Sequence, residues 1–164
     1  MNLMYGHLEG EGDQVYATFA GYRVQVDKKA LDDHPGIENF MNQEIVLGLR
    51  PSSLEAASVA GDQPSRSMEL TVDVSEMLGA DTFVHGSLNQ RPVVTPDIEE
   101  LLADTGQDAG SLGDSTNFIA RVSPDVHLKH GETIKLVVDS SKMHFFDHTS
   151  GNRIGAKPME QASA

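Results

Sequence analysis

Apolar residues in this chain recur at every second position far more often than at the helical spacing of about 3.6. Val15, Ala17 and Phe19 alternate with polar neighbours, and Tyr22, Val24 and Val26 do so again after Ala20-Gly21. Two short alternating runs around a glycine turn predict a β-hairpin. Glu44 to Leu49 reads as a third strand, ended at Arg50-Pro51 because proline cannot donate to a central ladder. Leu70, Val72 and Val74 give a fourth. Thr82 to Leu88 gives a fifth after the tight turn Leu78-Gly79-Ala80-Asp81, where Gly79 supplies a positive φ. Asn117 to Val122, Thr133 to Val138 and a short piece at His144 to Phe146 complete the set, with Phe83 and Phe146 expected in the core. Helix is scarce. Lys28 to Asp33 predicts a turn or two, and Ile98 to Ala103 a short helix behind Thr95-Pro96, a cap followed by proline at the first helical position. Short strands at this spacing predict an all-β barrel or sandwich.

The polar segments between strands fall in three places. Ala56 to Ser67 reads as a loop joining two β units, a soft division near 56–67. Gln90 to Ser115 is a long acidic insert carrying Asp97, Glu99, Glu100, Asp104, Asp108 and Asp114. Its glycine-rich second half is expected to be mobile, and residues 156–164 are expected to fray.

At 164 residues the chain suffices for one ordinary domain with a core of its own, burying roughly 68–70% of its unfolded surface. It contains no cysteine, which excludes disulfides, iron–sulfur clusters and thiolate zinc sites. Twelve basic residues against twenty-five acidic ones give a net charge of −13, so no nucleic-acid partner is expected. Met1 to Gly12 has neither a basic run nor an apolar core, so no signal peptide is expected. No apolar run approaches the ~20 residues that span a bilayer, and a soluble fragment is expected.

Catalytic signatures are missing. No G-x-x-x-x-G-K-[ST] occurs, so nothing in the sequence cradles the phosphates of a nucleotide, and G-x-S-x-G is absent too. His144 and His148, with Asp147, have the i, i+4 spacing of helical metal ligands. Their surroundings read as strand and turn, so packing and turn roles are expected and no metal centre. His127 and His130 flank a loop. Glu99-Glu100 belongs to a solvated face, and Asp104 to Asp114 lacks the pattern of a calcium loop.

Five short motifs, in order, carry a resemblance. Leu47-Gly48-Leu49-Arg50-Pro51-Ser52-Ser53-Leu54 resembles the "LGIRPEHL" segment of ATP-binding subunits of ABC transporters for sugar import. Val72 to His85 resembles their "V-x-x-V-E-x-L-G-x-E-x-x-V-H" segment. Ala120-Arg121-Val122 with Gly131-Glu132-Thr133-Ile134 is similar to "ARV…GExV", and His144 to Gly151 to "H-x-F-D-x-x-T-G". Met1-Asn2-Leu3 resembles the "MNLL" opening of that region. The chain thus resembles the C-terminal regulatory part of proteins such as the maltose-importer ATPase.

That resemblance implies an all-β fold of two OB-like β-barrel units (the TOBE, or regulatory-domain, architecture) with one or two short helices. The units are expected to interleave within a single domain, 1–164. It also implies an ATPase domain upstream, where ATP and Mg would bind; no cofactor is expected in this fragment. The implied partners are a second copy of the ATP-binding subunit, the transporter's membrane subunits, and a regulatory protein or small effector, at the cytoplasmic face of the membrane. Candidate regulatory or interface residues are Arg50, Ser52, Ser53, His85, Arg121, His144 and Asp147. Asp147 is also expected to cap its own turn, and His85 to be a core or face histidine. Ser52-Ser53 replaces the family's Glu-His, which alters any regulatory contact there. Two other readings stand beside regulation and dimerisation. One is a freestanding OB/TOBE-type module for a small anion; the other is a metallo-hydrolase built on His144, Asp147 and His148.

Overall fold

Two five-stranded antiparallel sheets carry most of the regular structure in the computed structural model, which describes residues 1–94, 96–107 and 113–155. In chain order the strands are β1 (Asn2–Glu11), β2 (Gln14–Phe19), β3 (Tyr22–Gln25), β4 (Glu44–Leu49), β5 (Leu54–Ala56), β6 (Ser67–Leu78), β7 (Asp81–Leu88), β8 (Thr116–Val122), β9 (Thr133–Val138) and β10 (His144–Phe146). Three short helices interrupt them: α1 (Lys28–Asp32), α2 (Ala57–Ala60) and α3 (Pro96–Asp104).

The first sheet has the order β10-β4-β1-β2-β3 and the second β5-β9-β6-β7-β8. Counted within each half of the chain, both run third, second, first, fourth. Each then takes its outermost strand from the other half. β5 follows β4 in sequence yet pairs with β9, and β10 follows β9 yet pairs with β4. Each sheet therefore has the strand order of an OB barrel left open between its third and fifth strands. The two crossings are alike. Pro51–Ser53 forms one 3₁₀ turn after β4, and Ser140–Lys142 forms the other after β9.

One continuous apolar core lies between the sheets. Strand alternation chooses its members: Ile45, Leu47 and Leu49 from β4, Phe118 and Ala120 from β8, Ile134 and Leu136 from β9. Phe145 is wholly buried, and a side chain of that size adds about 1.5–3 kcal/mol on leaving water. The same alternation corrects two expectations. Phe146 and Phe83 are only half-buried, because Phe145 on β10 and Val84 on β7 take the inward positions.

The hairpin of β2 and β3 forms as expected, with Ala20 and Gly21 both at positive φ, as a type I′ turn requires. Gly79 lies at φ +66° in the turn between β6 and β7. The sequence pattern gave no hint of β1, although it is the central strand of its sheet. Its inward positions, Asn2, Met4, Gly6 and Leu8, mix polar, small and apolar residues, while its outward side also carries apolar Leu3 and Tyr5. The expected loop Ala56 to Ser67 instead holds the last residue of β5, the short α2 and a 3₁₀ turn at Pro64–Arg66. The insert begins as a strap. The Val94 N–H donates to Tyr5 Oη at 3.1 Å, Gln90 Nε2 donates to the Tyr5 carbonyl, and Arg91 stacks over the Tyr5 ring while pairing with Glu44. The helix expected at Ile98 to Ala103 forms as α3. Thr95, residues 108–112 and the tail 156–164 lie outside the described residues, and with them the expected cap, the mobile stretch and the frayed end.

Asn2 joins the sheets. Its buried side-chain amide donates to the Ile119 carbonyl at 2.7 Å and accepts from the Ile119 N–H at 2.9 Å, completing the outer edge of β8 as a strand residue would. Asn2→Ala should therefore cost about 1–3 kcal/mol, measured as a lowered urea midpoint, because both backbone groups of Ile119 lose their partner. The exchanged strands make a second prediction. Residues 1–66 and 67–155 expressed separately should each lack cooperative unfolding, and mixing them should restore it, read by circular dichroism through a thermal melt.

Candidate functional site

The two crossing turns, the end of α1 and the segment after β10 meet around a cleft of about 380 Å³. Local sequence explains how each part is held. Asp27 caps α1 by accepting from the Lys29 N–H at 2.9 Å, and its own N–H donates to Ser140 Oγ in the second crossing turn. Asp139 caps that turn by accepting from the Ser141 N–H. In the first turn, the Ser53 N–H donates to the Arg50 carbonyl, and the Ser53 carbonyl accepts from the Asp139 N–H at 2.8 Å. The two turns are thus bonded to each other.

His34, at the floor of the cleft, is buried and uses both ring nitrogens. Nδ1 lies 2.7 Å from the Ala30 carbonyl, while Nε2 lies 3.3 Å from the Phe145 N–H, which donates to it. Those partners require a neutral ring protonated at Nδ1. The ring also meets Phe145 edge-on at 4.8 Å. Burial pushes the His34 pKa below the ordinary 6.5, and the positive charge of Arg153 adds to this.

The walls are basic. Among the described residues, Lys29, Arg50, Lys142 and Arg153 line the cleft with a single carboxylate, Asp33. Lys29 holds Asp33 at 3.0 Å, which keeps that carboxyl below its ordinary range, and Arg153 donates to the Asp33 backbone carbonyl at 3.2 Å. Lys142 reaches Asp139 at 3.6 Å. Among the described residues neither Arg50 nor Arg153 has a carboxylate within 4.0 Å. His144 is lowered by burial and then by Arg50 and Arg153. Ser52, Ser53 and Ser141 add hydroxyls, and Ser53 Oγ is buried with no hydrogen-bond partner among the described residues.

Of the seven residues singled out from sequence, Arg50, Ser52, Ser53 and His144 come together here. Arg121 lies in an adjoining groove that also touches Arg50 and Ser52, and pairs with Asp81 at 3.9 Å. His85 stands apart on the second sheet, its Nε2 2.9 Å from Glu76. Asp147 lines a separate apolar slot with Phe146 and His148, and caps its turn by accepting from the Thr149 N–H at 2.9 Å. His144 is on a strand and His148 in the turn beyond it, facing different clefts, so the helical i, i+4 arrangement does not exist. Sequence reasoning missed Lys29, Asp33, His34, Lys142 and Arg153. They come from three distant segments, and only the topology brings them together.

No family model matches the chain. It is 28% identical over 160 residues to the sn-glycerol-3-phosphate import ATP-binding protein UgpC of Cupriavidus metallidurans, covering 96% of this chain and 35% of that protein. It is 28% identical to the trehalose import ATP-binding protein SugC of Mycobacterium tuberculosis (72% of this chain, 29% of SugC). The figure is 24% for the multiple sugar-binding transport ATP-binding protein MsmK of Streptococcus mutans (87% and 29%). A solved structure of the cytoplasmic molybdate-binding protein ModG superposes with a TM-score of 0.49 at 15% identity, covering 88% of this chain and 94% of that one. Over 72–96% of its length the chain is similar to ATP-binding subunits of importers for sugars and sn-glycerol 3-phosphate. It spans about a third of the length of those relatives.

The buried histidine makes stability depend on pH. His34 has a folded pKa below its unfolded one, so below about 6.5 the unfolded chain binds more protons and stability falls with acidification. The contribution is complete above the unfolded value and is lost as pH drops toward the folded one, at no more than about 1.4 kcal/mol per pH unit for one histidine. Urea titrations from about pH 7.5 to about pH 5.5 should show this decline. His34→Gln should be less stable at neutral pH and less sensitive to acid.

Proposed function

We propose that the chain is the C-terminal regulatory and dimerisation region of the ATP-binding subunit of an ABC importer for sugars or similar solutes. The single observation supporting this is homology over 96% of the chain to an import ATP-binding protein about three times its length. The two-sheet β architecture and the missing phosphate-binding loop agree with a part that does no chemistry itself. ATP and Mg bind the ATPase domain of the same subunit, which works with the membrane subunits at the cytoplasmic face of the membrane. Among the described residues, no helix is long and apolar enough to cross a membrane.

The mechanical role follows from effective concentration. A contact between two such regions holds two ATP sites within reach at roughly millimolar local concentration, whether the motors are open or closed. An effector or regulatory protein that prefers one arrangement then biases the cycle, typically by about 1–3 kcal/mol. The outer end of β6 offers apolar contact for a second copy, because Val74, Met77 and Leu78 are all more than half exposed. Sedimentation equilibrium of the chain should reveal a monomer–dimer exchange below about 1 mM, and Met77→Asp should weaken it about tenfold or more. A chain that stays monomeric at that concentration is not a dimerisation module.

A further inference from the structure

We infer that the cleft bounded by α1, the two crossing turns and Arg153 is a binding site for a phosphate-class dianion, either inorganic phosphate or a phosphomonoester. The first reason is charge. In a chain of net charge −13, four of the twelve Lys and Arg residues line one cleft, where among the described residues Asp33 is the only carboxylate of the lining and Asp139 pairs with Lys142 from outside it. A basic pocket on so acidic a protein is not an average surface. It concentrates field where anions would otherwise be repelled.

The second reason is unspent bonding capacity. Lys29 and Lys142 have carboxylate partners, but among the described residues the Arg50 and Arg153 guanidinium groups have none. Guanidinium forks match the paired oxygens of a phosphate. Both arginines line the cleft together with His144. Ser53 is almost fully buried in the wall, with an Oγ that lacks a hydrogen-bond partner among the described residues. A buried hydroxyl in that state costs about 1–3 kcal/mol unless something satisfies it.

The third reason is size and floor. About 380 Å³ falls within the range of small-molecule sites and leaves room for a small organic group beside the phosphate. His34 does not compete for the anion, since both its nitrogens are committed to Ala30 and Phe145. Among the described residues two guanidiniums lack a carboxylate partner, an excess charge greater than a monoanion neutralises, which selects a dianion over a carboxylate. Such a ligand is a chemical candidate for the effector of a regulatory region, yet its binding is a property of this cleft and stands apart from dimerisation.

The test is a two-dimensional NMR and calorimetric titration of the chain with inorganic phosphate, glucose 6-phosphate, acetate and glucose at matched ionic strength. Saturable shifts centred on Ser52, Ser53, Ser141 and His144 are expected with a phosphate dianion, and none with acetate or glucose. Tighter binding of glucose 6-phosphate would assign a phosphomonoester, and equal or tighter binding of inorganic phosphate the free ion. Arg50→Gln with Arg153→Gln should weaken binding about tenfold or more, while Arg23→Gln with Lys135→Gln, which removes the same charge elsewhere, should leave it within about twofold. Arg50 and Arg153 are exposed, so the double variant should keep the native circular dichroism. Non-saturable shifts spread over all basic residues, or equal weakening by both double variants, would overturn the inference.

Discussion

The backbone ladders of β10 on β4 and of β5 on β9 are the bonds on which the rest depends. An unpaired strand edge buried against a core leaves N–H and C=O groups without partners. Here each half leaves such an edge, and the chain completes it by crossing over. Neither β5 nor β10 exceeds three residues, too short to persist unless both the ladder and the core hold it. The core supplies that hold: Leu54 and Ala56 from β5 and Phe145 from β10 are all buried in the same cluster as the long strands. Packing and pairing therefore act on the same few residues, and the halves are held as one body.

The crossing also decides where charge can collect. Exposed ion pairs on this surface, such as Arg23 with Glu11, are screened by solvent and contribute little. The four cations of the cleft differ in being brought together from α1, both crossing turns and the segment beyond β10. Their mutual repulsion is a local cost that the fold's other contacts must offset, foremost the His34 bridge from α1 to β10 and the Ser140 bridge to Asp27. A site that concentrates such repulsion gains most from a ligand carrying more than one negative charge.

How much of this was legible in the sequence depended on whether local pattern controlled the outcome. The hairpin at Ala20-Gly21, strands β6 to β9 of the second sheet and α3 followed from period, turn chemistry and proline placement, whereas the three-residue β5 did not. β1 did not, because its inward face uses Asn2 to bond Ile119 and Gly6 to let Leu47 approach closely; a methyl group at Gly6 would lie 2.7 Å from Leu47 Cδ1. Those are tertiary reasons, invisible to a search for alternating hydrophobes. The family resemblance drew attention to Arg50, Ser52, Ser53 and His144, and these share a cleft. It could not supply Lys29, Lys142 or Arg153, whose proximity rests on the strand exchange. The Phe83 and Phe146 errors came from reading an aromatic residue as inward without fixing the phase of its strand.

The exchange gives the cleft leverage. A ligand held by Lys29 touches the first half through α1, and through Arg50 and Ser52 it touches the turn by which the chain leaves that half. Through Ser141 and Lys142 it touches the turn by which the chain returns, and through Arg153 the segment anchored beyond β10, where Phe146 bridges to Arg153. Two of these contacts are the turns by which the chain passes between sheets, and the other two, α1 and the segment after β10, flank them. A ligand shifts an equilibrium only by its difference in affinity for the two states. A cleft that includes both turns between the sheets is a place where a small change of sheet setting alters several charged contacts at once, and so a place where that difference can be large.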